Sequence, residues 1–188
     1  MKILAFSREL LVQQLARPCV LFTEAEPPEK THWGERSALE EDPRFLQLIP
    51  YALLTGPEGT VWAYRRTGGD PRLAQRRSVG VGGHVDEVDK RQSLLETARA
   101  ALQRELSEEL ENPPAVIPEL PLGWINEQES AIGRVHIGLV WQIPWTAPAL
   151  PRPRQGEALA SIGFLPQKDI TTANHFELWS VLACRLLS

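Results

Sequence analysis

At 188 residues the chain has the length of one domain, alone or with an appended segment. A hydrophobic content of 43% supports a sizeable core, and a net charge of −4 argues against nucleic acid as the main partner. No apolar run approaches the roughly 20 residues that a membrane-spanning helix needs. Arg8 and Glu9 interrupt the N-terminus, which therefore does not resemble a signal peptide.

The two cysteines, Cys19 and Cys184, lie in apolar stretches and lack the spacing of metal ligands. We therefore expect buried free thiols and a cytoplasmic protein. The oligomeric state stays open, and a homodimer is among the options.

The first half of the chain predicts an N-terminal extension, residues 1–44, packed on a core domain, residues 45–188. Residues 1–16 are typical of a short amphipathic helix or a strand-helix element. Further on, residues 48–54 and 60–66 form a hairpin around Gly56-Pro57-Glu58-Gly59. Gly68-Gly69-Asp70-Pro71 begins a loop. Residues 78–85 form a strand whose glycines indicate a close approach by another group.

The second half predicts a helix over residues 96–109 and strands within 118–126, 134–143 and 158–165. A helical turn over 166–170 and a last helix over 175–187, with Asn174 as its N-cap, complete the chain. Hairpins mixed with helices indicate an α/β layered domain with a mixed sheet.

The helix over residues 96–109 carries acidic side chains where a purely structural helix would not place them. At roughly 100° per residue, one apolar stripe contains Leu95, Ala98, Leu102, Leu106 and Leu110. Glu109 falls inside this stripe, Glu105 lies at its edge, and Glu108 lies further round the same flank.

These glutamates crowd one patch, because Glu105 is three residues from Glu108 and four from Glu109. Such like-charge pairs cost about 0.2–0.5 kcal/mol each even when exposed. Arg104 can neutralise them only in part, whereas Mg²⁺ or Mn²⁺ binds carboxylate oxygens well. A solvated acidic face is the alternative interpretation from position alone.

The segment from Glu96 onward resembles the Nudix box, G-x5-E-x7-R-E-U-x-E-E-x-G-U, where U is a bulky aliphatic residue. Glu96 is followed by seven residues and then by Arg104-Glu105-Leu106-Ser107-Glu108-Glu109. The Gly-Gly-His-Val-Asp stretch and the strand Val-His-Ile-Gly-Leu-Val at 135–140 are similar to a Nudix subgroup described as predicted phosphoesterases.

The sequence departs from the box in two places. The box glycine should precede its glutamate by six residues, but Gly83 lies thirteen residues before Glu96, so residues 86–95 carry an insertion. We expect this polar loop to be exposed and mobile, either as a tolerated surface insertion or as a rim of the substrate site. The closing glycine is replaced by Glu111, which alters the expected helix exit.

The resemblance implies a Nudix-type α/β/α sandwich that hydrolyses a diphosphate linkage, such as a nucleoside diphosphate joined to a group X. It implies Mg²⁺ or Mn²⁺ held by Glu105, Glu108, Glu109 and the carbonyl of Gly82. Arg104 would orient a metal-binding glutamate. Glu96 would anchor the first turn of the helix or pair with an arginine.

Other side chains are weaker candidates for substrate binding: Arg66, Arg76, Arg77, Glu127, Glu129 and His136. Solvated loop arginines, and structural roles for His84 and His136, are the alternatives. Trp124 and Trp141 could stack on a base, although core packing is the default.

Two further functions stay open besides the hydrolase. One is a Nudix-fold domain that binds a nucleotide without cleaving it, which loss of box carboxylates would favour. The other is an isoprenoid diphosphate isomerase, which would need a cysteine near the pocket.

Overall fold

The computed structural model describes residues 1–68 and 76–187. Residues 69–75, in the loop predicted to begin at Gly68, lie outside the described residues. The strands are β1 (Lys2–Ser7), β2 (Cys19–Leu21), β3 (His32–Glu35), β4 (Phe45–Thr55), β5 (Thr60–Arg66), β6 (Arg77–Ser78), β7 (Gly80–Gly82), β8 (Gly123–Ile125), β9 (His136–Pro144) and β10 (Leu159–Pro166). The helices are α1 (Arg36–Leu39), α2 (Leu94–Glu109), α3 (Gln167–Thr172) and α4 (Leu178–Arg185).

The described strands form one mixed sheet with the path β10-β5-β4-β9-β8-β2. Strands β4 and β9 run parallel at its centre, while β5, β7 and β8 pair with their neighbours in antiparallel fashion. The predicted mixed sheet is therefore confirmed.

Strand β4 shows how the sheet separates two layers. Leu46, Leu48 and Leu54 share a cluster with the apolar stripe of α2, whereas Tyr51 and Leu53 pack with side chains from α3 and α4. Successive residues of a strand point to opposite faces, so helices cover both sides of the sheet. This arrangement confirms the α/β/α sandwich.

The N-terminal segment contributes strands to the same sheet. Strand β1 lies between β3 and β4, and β2 pairs with β8 at the far edge. Leu4, Phe6, Leu11 and Val20 are buried in the cluster that also contains α2. A 3-10 turn, Arg8–Leu10, follows β1. Of the two options predicted for residues 1–16, the strand-helix element is therefore the better description.

Helix α2 begins two residues earlier than predicted because a capping box fixes its start. The Ser93 hydroxyl accepts a hydrogen bond from the Glu96 amide at 3.2 Å, and the Glu96 carboxylate accepts one from the Ser93 amide at 3.0 Å. Glu96 therefore anchors the first helical turn.

We expect Ser93→Ala to lower the free energy of unfolding by about 1 kcal/mol, because an amide of the first turn loses its acceptor. Chemical denaturation without divalent metal measures this loss. Turnover per folded molecule should stay unchanged, since Ser93 lies at the far end of α2 from the acidic patch. An equal loss in Ser37→Ala, an exposed site, would show that the effect is unrelated to the cap.

The other end of α2 does not use a left-handed residue. Leu110 is extended, with φ −117° and ψ 140°, and a segment from the Pro-rich stretch binds the helix end instead. The Arg154 amide donates to the Glu109 carbonyl at 2.8 Å, and Arg154 Nε donates to the Ser107 carbonyl at 2.7 Å. These bonds satisfy carbonyls that a helix end leaves without partners.

The last helix also differs from its prediction. Helix α4 begins at Leu178 with Glu177 as its N-cap, so Asn174 as N-cap was wrong. The backbone just before α4 instead forms hydrogen bonds with β6. The Arg77 amide donates to the His175 carbonyl at 3.1 Å, and the Glu177 amide donates to the Arg77 carbonyl at 2.9 Å. No helix among the described residues is long and apolar enough to cross a membrane.

Candidate active site

The acidic patch of α2 spans a gradient from solvent to core, as its position on the helix predicts. The side chain of Glu108 is 57% exposed, and that of Glu105 is 17% exposed. Glu109 Oε2 is buried and has no hydrogen-bond partner among the described residues. The patch therefore contains a buried acceptor that the protein itself leaves unsatisfied.

Arg104 connects this patch to the rest of the site. Its Nη1 lies 2.7 Å from Glu105 Oε1 and 3.3 Å from Glu108 Oε2. Its Nη2 donates to the His84 carbonyl at 2.9 Å. The arginine thus places Glu105 and Glu108 on the same side as the strand end that precedes His84.

The inserted loop supplies the partner that holds Arg104. Asp89 is only 3% exposed, and its carboxylate accepts hydrogen bonds from Arg104 Nε at 3.1 Å and Nη2 at 2.9 Å. Asp89 ends a 3-10 turn, Glu87–Asp89, with a capping box to Asp86. The hydrogen bonds from Arg104 to Asp89 raise the pKa of the guanidinium. The predicted exposure of the inserted loop is confirmed for residues 87–88 and 90–93, but it is wrong for Asp89, whose carboxylate is buried against the acidic helix.

Three glycines allow close contacts around the site, one with α2 and two with β4. A Cβ on Gly83 would overlap the Glu105 carboxylate, and a Cβ on Gly82 would overlap the Pro50 carbonyl of β4. A Cβ on Gly80 would overlap the ring of Tyr51. The close approach predicted for residues 78–85 is confirmed at all three glycines.

Burial changes the acidity of two carboxyl groups in the patch. Burial is the largest cause that raises the pKa of Glu109 to about 7; Arg66 opposes this rise, and nearby Glu105, Glu157 and Glu108 add to it. Burial also raises the pKa of Glu105, although Arg104 counteracts part of this rise. At near-neutral pH, a buried carboxyl group with such a raised pKa is fully ionised only when a nearby cation compensates its charge.

A cavity of about 460 Å³ begins at Gly82, Gly83 and His84, beside the acidic patch. Its apolar wall contains Tyr51 and Trp179, whose rings meet edge to face at 6.0 Å between centroids. The full described lining is Ile49, Tyr51, Arg66, Arg76, Gly80, Gly82, Gly83, His84, Glu127, Glu129, Ser130, Ala131, Ile132, His136, Glu177, Leu178 and Trp179. This lining includes no residue of the inserted loop, 86–95.

Most of the weaker candidates from the sequence meet at this cavity. Arg66, Arg76, Glu127, Glu129 and His136 line it, and Arg77 does not. Two lining residues, Glu177 and Trp179, carry no sequence signal that connects them to the box. Glu177 is the N-cap of α4 and Trp179 lies in its first turn, so the packing of α4 against the sheet brings both to the site.

Arg66 and Glu177 form an ion pair at the cavity wall, with Arg66 Nε 2.5 Å from Glu177 Oε1. The arginine side chain is 25% exposed and the glutamate side chain only 7%. The pair holds a cationic side chain at the cavity while leaving its charge largely balanced.

Glu127 is held by its own loop. Its carboxylate accepts hydrogen bonds from the amides of Glu129 and Ser130, both at 2.9 Å, and from the Ser130 hydroxyl. Burial alone would raise its pKa, but the bonds from Ser130, Glu129 and Gly133 keep it below its ordinary value. These contacts fix the conformation of the loop that forms this wall of the cavity. Glu129, an exposed residue of the same loop, also lines the cavity.

Two histidines lie together at the cavity. His84 Nε2 is 3.1 Å from His136 Nε2, and burial lowers the pKa of His84 to about 3.

Trp124 and Trp141 are fully buried in the core.

The acidic patch suits a divalent cation. Among the described residues, no three acidic, histidine or cysteine side chains already converge on one point, since Arg104 holds Glu105 and Glu108. The buried Oε2 of Glu109 and the Glu105 carboxylate beside Gly83 nevertheless offer oxygen ligands four residues apart, on one face of α2. Hard cations prefer such oxygens, so these residues fit Mg²⁺ or Mn²⁺.

Comparison with known proteins places the chain in a family. No family model matches it. Protein YmaB of Bacillus subtilis is 35% identical over 162 residues, which cover 81% of this chain and 76% of that protein.

Two solved structures show the same fold. The crystal structure of Tm1382, an inferred Nudix hydrolase, has a TM-score of 0.74 with 19% identity and covers 100% of this chain and 98% of its own. A bifunctional NMN adenylyltransferase/ADP ribose pyrophosphatase from Francisella tularensis, complexed with AMP and a Mn ion, has a TM-score of 0.53 with 14% identity. That match covers 76% of this chain and 41% of the other. By its sequence the chain belongs to the family of YmaB, and its fold is the fold of the Nudix structure Tm1382.

Proposed function

We propose that the protein hydrolyses the diphosphate linkage of a nucleoside diphosphate joined to a group X, with Mg²⁺ or Mn²⁺ as cofactor. The observation that carries this proposal is the unsatisfied, buried Oε2 of Glu109 in a patch that adjoins a cavity at Gly82 and Gly83. A cation site beside a substrate-sized cavity is the arrangement that diphosphate chemistry needs.

Glu105, Glu108, Glu109 and the Gly82 carbonyl would hold the metal. The bound cation supplies charge neutralisation for the diphosphate and acidifies a water molecule. The Francisella tularensis protein, part of which shares this fold, is complexed with AMP and a Mn ion, in line with a metal-dependent enzyme that acts on a nucleotide.

Arg104 would set the positions of Glu105 and Glu108, because it contacts both carboxylates while Asp89 and the His84 carbonyl fix it from the other side. Glu109 is a candidate general base, because its Oε2 is buried in the acidic patch and has no hydrogen-bond partner among the described residues. It would accept the proton of the attacking water as a carboxylate.

The cavity would bind the rest of the substrate. On the described lining, Arg76 could contact a phosphate, as could Arg66 beside its partner Glu177. Tyr51 and Trp179 present apolar ring surface for a base or another planar group. Glu127, Glu129 and His136 would act as polar wall groups. We also propose a cytoplasmic setting, consistent with the free thiols Cys19 and Cys184.

A screen of nucleoside diphosphates, triphosphates, sugar nucleotides and dinucleotides with Mg²⁺ or Mn²⁺ tests the proposal. Phosphate release is measured with and without added phosphatase, which separates a diphosphate cleavage from release of a terminal phosphate. Turnover of at least one class supports hydrolysis. Saturable nucleotide binding with no turnover in any class would replace hydrolysis with the alternative, a nucleotide-binding sensor domain.

We expect Mg²⁺ or Mn²⁺ alone to raise the melting temperature. Binding to the native state adds about 2.7 kcal/mol at one hundred times the dissociation constant. Thermal unfolding with and without metal measures this effect, and Glu105→Gln combined with Glu109→Gln should abolish it. An unchanged melting temperature in the wild type, together with no anomalous signal at α2 in Mn²⁺-soaked crystals, would show that the metal site is wrong.

A further inference from the structure

Three polar side chains meet where β4, β9 and the end of β7 come together, with His84 and His136 on the cavity wall and Gln47 buried behind them. His84 Nε2 lies 2.8 Å from Gln47 Oε1 and 3.1 Å from His136 Nε2. Gln47 and His136 are direct neighbours in the parallel pairing of β4 with β9. Gln47 is fully buried and His136 is 8% exposed, so little bulk water reaches the cluster from behind.

Two acceptors of the cluster face the same ring nitrogen, His84 Nε2. His136 Nδ1 lies 2.7 Å from the Ile132 carbonyl, which only accepts, so Nδ1 carries the hydrogen and the neutral ring keeps a lone pair on Nε2. His84 Nε2 then carries the one hydrogen between the rings. Both His136 Nε2 and Gln47 Oε1 face that hydrogen.

We propose that Gln47, His84 and His136 bind a divalent transition metal of the Zn²⁺ class through a ligand set different from the α2 carboxylates. A metal in place of the shared hydrogen would bind both Nε2 atoms and Gln47 Oε1. Two nitrogens at about 2.0–2.1 Å from a tetrahedral Zn²⁺ lie about 3.3 Å apart, and the two Nε2 atoms already lie at 3.1 Å.

The outer hydrogen bond of His136 agrees with this role. A metal-binding histidine usually donates its other ring N–H to a carbonyl or carboxylate, which fixes the ring and its tautomer. The bond from His136 Nδ1 to the Ile132 carbonyl has this form. His136 lies at the start of β9, and its ring orientation is therefore set by the loop before the strand.

Ligand chemistry separates the two sites. Carboxylate oxygens suit Mg²⁺ and Mn²⁺, whereas imidazole suits Zn²⁺ and its neighbours in the first transition row. The ligand set is neutral, so a bound Zn²⁺ would keep its charge of +2 at the cavity. Because His84 and His136 line the cavity, water or an anionic oxygen of a ligand would complete the coordination. This inference concerns binding and does not depend on the proposed hydrolysis.

The test uses the untagged full-length chain with Co²⁺ as an absorbing probe, titrated in an excess of Mg²⁺. We expect one equivalent to bind and to give visible d–d bands without a thiolate charge-transfer band. His84→Ala and His136→Ala should weaken binding by more than the roughly 10- to 100-fold that loss of an outer hydrogen-bond partner costs. His175→Ala, at an exposed histidine, and Cys19→Ser are the matched controls and should bind like the wild type.

Glu109→Gln distinguishes the two sites, because it should leave Co²⁺ binding unchanged while removing Mg²⁺ stabilisation. Zinc-edge X-ray absorption of the wild type should show two imidazole ligands, which settles the question even if a histidine variant fails to fold. Absence of Co²⁺ binding in the wild type, binding that survives both histidine variants, or a carboxylate-only Zn²⁺ shell would overturn the proposal.

Discussion

Glu109→Gln is expected to abolish turnover while the protein stays folded. Gln keeps the shape of the side chain but removes the charge that would bind metal or accept the proton of water. Loss of a proton-accepting group typically lowers kcat by about 10²- to 10⁴-fold. Steady-state kinetics with Mg²⁺, on the substrate identified by the screen, measures the loss, and Glu108→Gln is expected to act in the same direction.

Glu111→Gln is the matched control, because Glu111 lies just beyond the same helix and its exposed carboxylate pairs with Arg152. It should keep wild-type turnover. Full Mg²⁺-dependent activity in Glu109→Gln would remove this glutamate from the mechanism.

The same variant has a predicted pH signature without metal. The pKa of Glu109 is raised to about 7 in the folded protein, from an ordinary value of 4.5. The folded state therefore binds more protons than the unfolded state between these values, and stability falls as pH rises through this window. Glu109→Gln should lack this decline and be the more stable protein at pH 8 in EDTA. Denaturation at pH 5 and pH 8 measures the difference.

Local signals were sufficient for the parts of the fold that short segments determine. The turn at Gly56 to Gly59 fixed the start of β5, whose predicted span agrees with Thr60–Arg66. The apolar stripe of α2 was confirmed, with Ala98, Leu102 and Leu106 fully buried. The Ser-x-x-Glu pattern at Ser93 and Glu96 was available in the sequence and gives the correct helix start.

Long-range pairing decided the features that local patterns did not. Strand β1 exists because β3 and β4 pair with both of its edges, and a short apolar segment alone does not distinguish a strand from a helix. Asn174 has a strong N-cap preference, but Arg77 bonds to the backbone on both sides of Phe176 and delays the helix.

The motif was sufficient to predict the acidic residues of the site, but it did not predict all the residues that line the cavity. Glu177 and Trp179 reach the cavity only through the packing of α4 on the sheet. Asp89 was recoverable, since it follows Gly83 by six residues, the spacing at which the family pattern places its first acid. The structure pairs Arg104 with this aspartate, while Glu96 caps the helix.

Asp89→Asn is expected to lower the metal affinity of the acidic patch, although Asp89 itself would not bind the metal. Arg104 would lose the carboxylate that holds its Nε and Nη2, and would be drawn further toward Glu105 and Glu108. Positioning groups of this kind typically change metal affinity or activity by about 10- to 100-fold. The metal-free protein should also lose about 1.5–3 kcal/mol of stability, as for a hydrogen bond to a charged group. Mn²⁺ titration and denaturation in EDTA measure the two effects.

Glu87→Gln is the control, because Glu87 belongs to the same 3-10 turn but is exposed. It should retain both metal affinity and stability, since its carboxylate lies in solvent. A loss of stability in Asp89→Asn with unchanged Mn²⁺ affinity would assign Asp89 to folding alone. Reduced affinity that Asp89→Glu partly restores would instead show that the inserted loop acts on the metal site through Arg104. Any shortening of residues 86–95 must therefore keep this carboxylate, because deletion of the whole insertion would disturb the acidic patch and the loop together.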